Sequence, residues 1–490
     1  MRLTNLIKNL EYEILYGNLD CEINEIINDS RNVTSGDLFI CIIGMKSDGH
    51  DFVNEVIEKG AHVLIVERGV EVAISGSTPV TIIKVPCTRQ AMAVIAANRY
   101  GHPANEIKTI AITGTKGKTT TAYLIKSILE QSGLKVGLIG TIETIIGDKH
   151  IPAKNTTPES LILHQYLREM VTAGLDVVVM ETASQGFKLK RTAGIVFDIG
   201  IFTNLSPDHI GPGEHADFDD YLSCKRMLFT QCRNGFVNSD DENFPAIVAG
   251  HTCEITTYGL DKNADLYAGE LSLYRDGSTL GVDFNVGGLM EFTARVNSPG
   301  KFSVFNALAA ILVCRYFDVP VPDILNALQN TYVKGRIEII PVAYDYCLMI
   351  DYAHNALSLE SLLKSLKEYQ PKRLVCLFGC GGNKDKNRRI EMGKVSGNLA
   401  DFTIITSDNP RDEEPQDIIN DIVSGIKETN GKYTEISDRR EAIDYALKNT
   451  QPGDIIVLAG KGHEDYQEVK GVRYPMDERE IVRELLKATK

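Results

Sequence analysis

The sequence predicts an α/β protein of three domains with mostly parallel sheets, and three observations carry that prediction. Short apolar runs of strand length alternate with amphipathic helical stretches almost throughout. The chain has 490 residues, too many for one ordinary core and enough for about three. The segment TIAITGTKGKTTTAYLIKSILEQSG, residues 109–133, runs from a strand through a glycine-rich turn into a helix.

Two breaks in the alternation set the domain limits. Gly101-His102-Pro103 follows the helical stretch RQAMAVIAANRY, and a new strand begins at Thr109. Val333-Lys334-Gly335 follows the helical run DILNALQNTY. Glycine and proline punctuate helices in this way, so the expected domains are residues 1–105, 106–333 and 334–490.

Composition is that of a soluble globular chain, 43% hydrophobic and 24% charged, with a formal net charge of -14. Such an acidic balance disfavours nucleic acid or an anionic membrane as a general partner, while local cations and backbone N–H groups still serve small anions. The ten cysteines include no CxxC pair, which argues against a zinc ribbon. Several lie inside apolar runs such as LVCLF at 374–378, as buried reduced thiols do. The N-terminal stretch has no signal-peptide core, and no apolar run reaches the ~18 residues of a membrane span. A cytoplasmic protein without a membrane span is the expectation.

The turn in residues 109–133 has the chemistry of a phosphate site. Gly114 and Gly117 let the backbone turn tightly around an anion. The helix start then aims its unpaired N–H groups at it. Lys118 supplies a cation for the β- and γ-phosphates, and the Thr119 hydroxyl is a ligand for Mg²⁺. Thr115, Lys116 and Thr120 complete the cradle. Spacing departs from GxxxxGK[ST], because Ile112 stands at the first glycine position. The central domain is thus expected to hold a P-loop-type phosphate site.

Two further residues sit where metal ligands belong. DVVVM, residues 176–180, reads as a buried strand ending at Glu181, whose carboxylate is placed to hold Mg²⁺ beside phosphates. FDIGIFTNL is a second strand, followed by Ser206-Pro207-Asp208-His209, which makes His209 another candidate. Either residue alone is more often a cap or a solvated side chain.

The last domain repeats the α/β logic in a Rossmann-like pattern. LVCLF leads to Gly379-Cys380-Gly381-Gly382, FTIIT to SDNPRDEEP, and IIVLA to GKGHEDY. Ligands of open α/β sheets bind at the carboxyl ends of strands, so these three loops are expected to converge. Within Asp408-Asn409-Pro410-Arg411, the proline restrains the backbone and the arginine offers a planar fork to a carboxylate. A surface Asx turn is the plainer reading of the same four residues.

TGTKGKTTT, NTTPES, TNLSPDH, CKRMLF, KGRIE and DYAHN, in that order, resemble the Mur ligase family. The N-terminal DSRNVTSGDLFICIIGMKSDGHDF resembles the uracil-nucleotide domain of the branch that adds the third residue of the peptidoglycan stem peptide. The resemblance implies a monomeric, ATP- and Mg²⁺-dependent amide-forming ligase that passes through an acyl phosphate. It implies that Ser30 meets the UDP moiety, and that Asn155, Thr156, Thr157, Ser184 and Arg191 meet the muramoyl-dipeptide. Lys225 matches a lysine carbamylated in the family, which turns a cation into an oxygen ligand for a second Mg²⁺; without the resemblance it is an ordinary lysine. Asn306, Arg336 and Asp351 match nucleotide contacts.

DNPR resembles the signature of family members that take meso-diaminopimelate. That amino acid differs from lysine by a distal carboxylate, which Arg411 would pair with; lysine would leave the fork empty. Arg389, Gly460 and Glu464 match further amino-acid contacts. The sequence departs from the family pattern at Lys116, where asparagine is usual, and at Ala183, Gln185 and Leu189 in place of serine, histidine and glutamine. Addition of lysine or another acceptor, a folate-type γ-glutamyl ligase, and a non-catalytic ATP-binding paralogue are the competing readings. DSR and DNPR oppose the first two, while Lys118, Thr119, Glu181, His209 and Lys225 oppose the last.

Overall fold

A computed structural model describes the chain except residues 73–79, 209, 212, 343–344 and 489–490. It separates into two compact units, residues 1–257 and 258–490. Compactness therefore does not part the expected first domain from the beginning of the second.

The first unit opens with a five-stranded sheet. Its strand order is Glu13–Tyr16, Thr81–Lys84, Val63–Val66, Leu38–Ile40, Ile26–Ile27, and only Glu13–Tyr16 is antiparallel to its neighbour. Side chains alternate between faces as the pleat requires. Leu38, Ile40, Val63, Ile65 and Ile83 pack into one core, and Phe39, Leu64, Val66 and Ile82 into another. Helix Thr88–Tyr100 supplies Ala91, Met92 and Ile95 to the former. It stops at Gly101, whose φ of 69° is the left-handed cap the sequence break implied.

The next sheet of this unit places Lys108–Thr113 at its centre, between Val177–Glu181 and Phe197–Phe202, all parallel. Strands Val136–Ile139 and Cys232–Asn238 extend it in parallel on either side. A strand buried on both faces reads as a continuous apolar run, and every residue of Val177–Glu181 and Phe197–Phe202 is buried. Glu181 ends its strand as expected, and Lys118–Gln131 forms the helix after the glycine-rich turn.

The second unit begins differently from the parallel expectation. Leu266–Asp276, Thr279–Gly288 and Phe292–Val296 form an antiparallel meander. Its first hairpin turns through Gly277-Ser278, with Gly277 at φ 55°, a tight turn that glycine permits. Helix Lys301–Tyr316 packs against this meander.

A six-stranded sheet follows in the order Glu338–Ile340, Cys347–Asp351, Ile455–Ala459, Leu374–Phe378, Phe402–Ile405, Tyr433–Glu435. All pairs are parallel except the first. Its strands feed a core on each face, Met349, Cys376 and Val457 on one side and Leu348, Leu377 and Leu458 on the other. Leu374–Phe378 lies between Ile455–Ala459 and Phe402–Ile405, so the loops leaving these three strands must be neighbours.

Candidate active site

In the first unit the glycine-rich turn is folded as a closed cradle. Gly114 sits at φ 150°, and a Cβ there would fall 1.9 Å from Thr203 Oγ1. Gly117 caps the helix at φ 86°. Asn204 clamps the turn: its Oδ1 accepts from the Lys116 amide at 2.9 Å, and its Nδ2 donates to the Lys116 carbonyl at 3.0 Å. Thr203 Oγ1 donates to that same carbonyl at 2.7 Å. Neighbouring strand ends thus shape the loop.

Lys118 folds back over the turn, donating to the carbonyls of Gly114 at 2.8 Å and Thr115 at 3.1 Å. Lys225, from helix Phe218–Arg226, reaches the same place and donates to Gly114 O at 2.7 Å. Its side chain is buried, with Nζ 4.6 Å from the centre of the Tyr221 ring. Burial first, and the Lys118 charge second, hold Lys225 well below the usual lysine range. Tyr221 OH in turn lies 3.1 Å from Thr115 Oγ1.

Glu181 is buried at the next strand end. Its Oε2 accepts from Thr119 Oγ1 and from Thr141 Oγ1, each at 2.9 Å, and its Oε1 accepts from the Thr141 amide at 2.8 Å. A hydroxyl and a carboxylate brought together behind a phosphate cradle are hard oxygen donors, the set that Mg²⁺ prefers. His209 lies outside the described residues.

The dipeptide-facing residues expected from the sequence gather beside Glu181. Thr156 Oγ1 is 3.1 Å from Thr141 Oγ1, and Thr157 Oγ1 donates to Glu181 O at 3.1 Å. Arg191 donates to Thr157 O at 2.9 Å and pairs with Glu159. Ser184 Oγ lies 2.9 Å from His215 Nε2, and His215 Nδ1 lies 3.3 Å from Asp220 Oδ2. Asn155 is exposed in the same segment. Ser30 begins the short helix Ser30–Asn32, and its carbonyl accepts from Lys59 Nζ at 2.9 Å.

In the second unit the three expected loops do converge. A Cβ on Gly379 would meet Thr406 O at 2.3 Å, and one on Gly460 would meet Asp408 Oδ2 at 2.9 Å. Asn409 Nδ2 donates to Glu464 Oε2 at 2.8 Å, which joins the loops after Ile405 and Ala459. Arg411 holds a left-handed backbone at φ 51°, and its NH1 donates to Gly382 O at 2.7 Å. Pro410 lies against Gly382, where a Cβ would sit 1.9 Å from Pro410 O.

Arg389, which the resemblance gives as an amino-acid contact, carries an ion-pair network. It is buried, and its fork is filled by Glu413, at 2.8 and 2.7 Å, and by Asp421 at 2.9 Å. The Arg389 guanidinium holds the Glu413 carboxyl down at about 2. Arg389 thus links Gly381, Glu413 and Asp421 in one network. Asp351 ends its strand with both oxygens taken by the amides of Ile337 and Ala353 at 2.8 Å. Arg336 lies over the Tyr352 ring at 4.5 Å, and Asn306 is buried in helix Lys301–Tyr316.

Residues 22–100 match the Mur ligase family catalytic domain, 112–314 the Mur ligase middle domain, and 335–462 the Mur ligase glutamate ligase domain. This chain belongs to the Mur ligase family. It is 41% identical over 99% of both chains to the UDP-N-acetylmuramoyl-L-alanyl-D-glutamate–2,6-diaminopimelate ligase of Clostridium perfringens. It is 43% identical, again over 99% of each, to the ligase of the same name from Caldanaerobacter subterraneus. A solved structure of a UDP-N-acetylmuramoyl-L-alanyl-D-glutamate–2,6-diaminopimelate ligase superposes with a TM-score of 0.70 at 28% identity, covering 100% of this chain and 99% of that one. MurF from Acinetobacter baumannii shares the fold, with a TM-score of 0.63 at 19% identity over 99% and 98% of the two chains.

Several residues in these networks escape a reading of the sequence. Thr141 holds Glu181 from a strand end that carries no motif. His215 lies between TNLSPDH and helix Phe218–Arg226, in a stretch that carries no motif. Lys461 lies in the loop after Ile455–Ala459, and only its hydrogen bonds distinguish it. Asn204 was within reach, because it belongs to TNLSPDH. Among the described residues no helix is long and apolar enough to cross a membrane.

Proposed function

We propose that this Mur ligase uses ATP to join meso-diaminopimelate to the D-glutamate of UDP-N-acetylmuramoyl-L-alanyl-D-glutamate, a step of peptidoglycan synthesis. The observation that carries the choice of amino acid is the pairing of the Arg411 loop with Glu464 at adjoining strand ends. One side chain offers a fork for a carboxylate and the other an acceptor for an ammonium, the two charges of an amino-acid centre. Relatives 41–43% identical over nearly the whole chain carry the diaminopimelate name, which supports the same reading.

The three segments 1–105, 106–333 and 334–490 are assigned to the UDP moiety, to ATP and to the amino acid. Within the second, the helix-start amides and Lys118 hold the ATP phosphates. Thr119 and Glu181, with Lys225 as its carbamate and His209, are the residues to hold Mg²⁺. When bound, Mg²⁺ neutralises charge on the transferring phosphoryl group. The D-glutamate carboxylate, oriented by Thr157, Ser184 and Arg191, forms a bond to the γ-phosphorus as the bond to ADP breaks. The amine of diaminopimelate then adds to the acyl carbon, phosphate leaves with its electron pair, and the amine gives up a proton. Asn306, Arg336 and Asp351 are assigned to the nucleotide. All ten cysteines are free, which supports a reducing compartment such as the cytoplasm.

A phosphate-release assay tests this reading. UDP-muramoyl-dipeptide and ATP are supplied with diaminopimelate, lysine or ornithine in turn. Release with diaminopimelate alone is the expected result. Equal release with lysine would refute the amino-acid assignment, and none with any amine would refute the ligase.

A further inference from the structure

At the end of strand Ile455–Ala459 the chain continues Gly460-Lys461-Gly462, and the Lys461 side chain is completely buried. An ammonium has three protons to donate, and all three are used. They go to Asn409 Oδ1 at 2.9 Å, to Glu464 Oε2 at 2.9 Å, and to the Tyr466 carbonyl. With no donor left and no surface exposed, Lys461 is not built to touch a ligand. A buried ammonium is costly unless it is paired and hydrogen-bonded, and here the pairing falls on two side chains of the amino-acid site.

Both of those side chains are oriented by it. Asn409 Oδ1 accepts from Lys461 and also from the Glu468 amide at 2.9 Å, while Nδ2 donates to Glu464 Oε2 at 2.8 Å. The amide therefore cannot flip without losing several bonds. Glu464 Oε2 receives protons from both Lys461 and Asn409, which leaves Oε1 as the oxygen turned to an incoming cation. We infer that Lys461 is a positioning residue for amino-acid selection: it aims Glu464 at the distal ammonium of the acceptor, while Arg411 serves the distal carboxylate. This inference rests on the reading of the Arg411 loop as the amino-acid site.

The probe pair is diaminopimelate and 2-aminopimelate, which keeps the distal carboxylate and lacks the distal ammonium. In the wild-type chain the ratio of kcat/KM for the two measures the contribution of Glu464. Lys461→Met is expected to raise KM for diaminopimelate at least tenfold, the scale of one charged hydrogen bond. It should leave KM for 2-aminopimelate and for ATP within about twofold, so the ratio collapses. Glu464→Gln should lower the ratio similarly, and Lys461→Met added to it should change little further, as for residues acting through one group. Lys461→Gln, which retains two donors, should fall between. A wild-type ratio in Lys461→Met, or an additive double variant, overturns the inference. So does failure of both lysine variants to reach the wild-type unfolding midpoint, since Lys461 is then a folding residue. No turnover of diaminopimelate by the wild-type chain refutes the underlying reading instead.

Discussion

Lys118 and Lys225 donate to one and the same oxygen, the carbonyl of Gly114, at 2.8 and 2.7 Å. Two ammonium groups on one carbonyl repel each other, and the buried one yields: Lys225 is held well below the usual lysine range by burial and by Lys118. An uncharged amine is the form that adds CO₂, so this geometry suits the carbamate proposed for Lys225. A carbamate would also remove the repulsion. Lys225→Ala is expected to lower kcat about 100-fold or more, on the scale of losing one charge-stabilising group. Acetate or another short carboxylate should restore part of that rate, whereas chloride should not. No rescue by any carboxylate would show that Lys225 acts as an amine or as a structural donor.

Glu181 gathers Thr119 and Thr141 around one carboxylate, with three bonds of 2.8–2.9 Å. Glu181→Gln keeps the shape but replaces one acceptor oxygen with an NH₂ donor, which faces hydroxyls and, in the proposed complex, a divalent cation. The Mg²⁺ concentration at half-maximal rate should rise at least tenfold, with KM for diaminopimelate little changed. Thr141→Ala should give a smaller shift in the same direction, because it removes support and no proposed ligand. Mg²⁺ titrations of phosphate release measure both. An unchanged Mg²⁺ requirement in Glu181→Gln would take Glu181 out of the metal site.

Arg411 holds φ 51°, a region that asparagine and glycine tolerate better than most residues. Arg411→Asn therefore suits the backbone while removing the guanidinium. Its unfolding midpoint should stay near or slightly above that of the wild-type chain. Turnover of diaminopimelate should fall about 100-fold or more, the penalty for a site whose charge partner is missing, and discrimination against lysine should fall with it. Parallel losses for both amino acids would make the loop structural.

How far such a site can be read from a sequence depends on how local its chemistry is. Gly114, Gly117, Lys118 and Thr119 are contiguous, so strand, turn and helix announce the cradle without any knowledge of the rest. The convergence of the loops after Phe378, Ile405 and Ala459 was expected because each leaves the carboxyl end of a strand. Arg389 shows the opposite case. A guanidinium near the right loop looks like a ligand contact, and nothing in residues 386–392 reveals that it also pairs with Glu413 and Asp421. The meander of residues 266–296 was likewise not singled out among the parallel elements, because alternation marks a strand without giving its direction. Lys461 was hidden for a third reason: burial of a lysine depends on acceptors brought from Asn409 and Tyr466, and no periodicity encodes them.

His164 offers a test of stability separate from catalysis. It lies in helix Ser160–Thr172, is 2% exposed, and neither ring nitrogen has a hydrogen-bond partner among the described residues. Burial brings its pKa down to about 4, with a smaller effect from His102. In the unfolded chain histidine titrates near ~6.5. Between these values the unfolded state binds a proton that the folded state refuses, so stability falls as the pH drops through that window. At pH 5.5 this one group should cost about 1.3 kcal/mol relative to pH 7.5. His164→Phe, similar in size and without the titrating ring, should lose that much less stability between pH 7.5 and 5.5. Denaturant unfolding at the two pH values checks it. Equal pH dependence in the two proteins would mean that the imidazole is solvated when it takes up its proton.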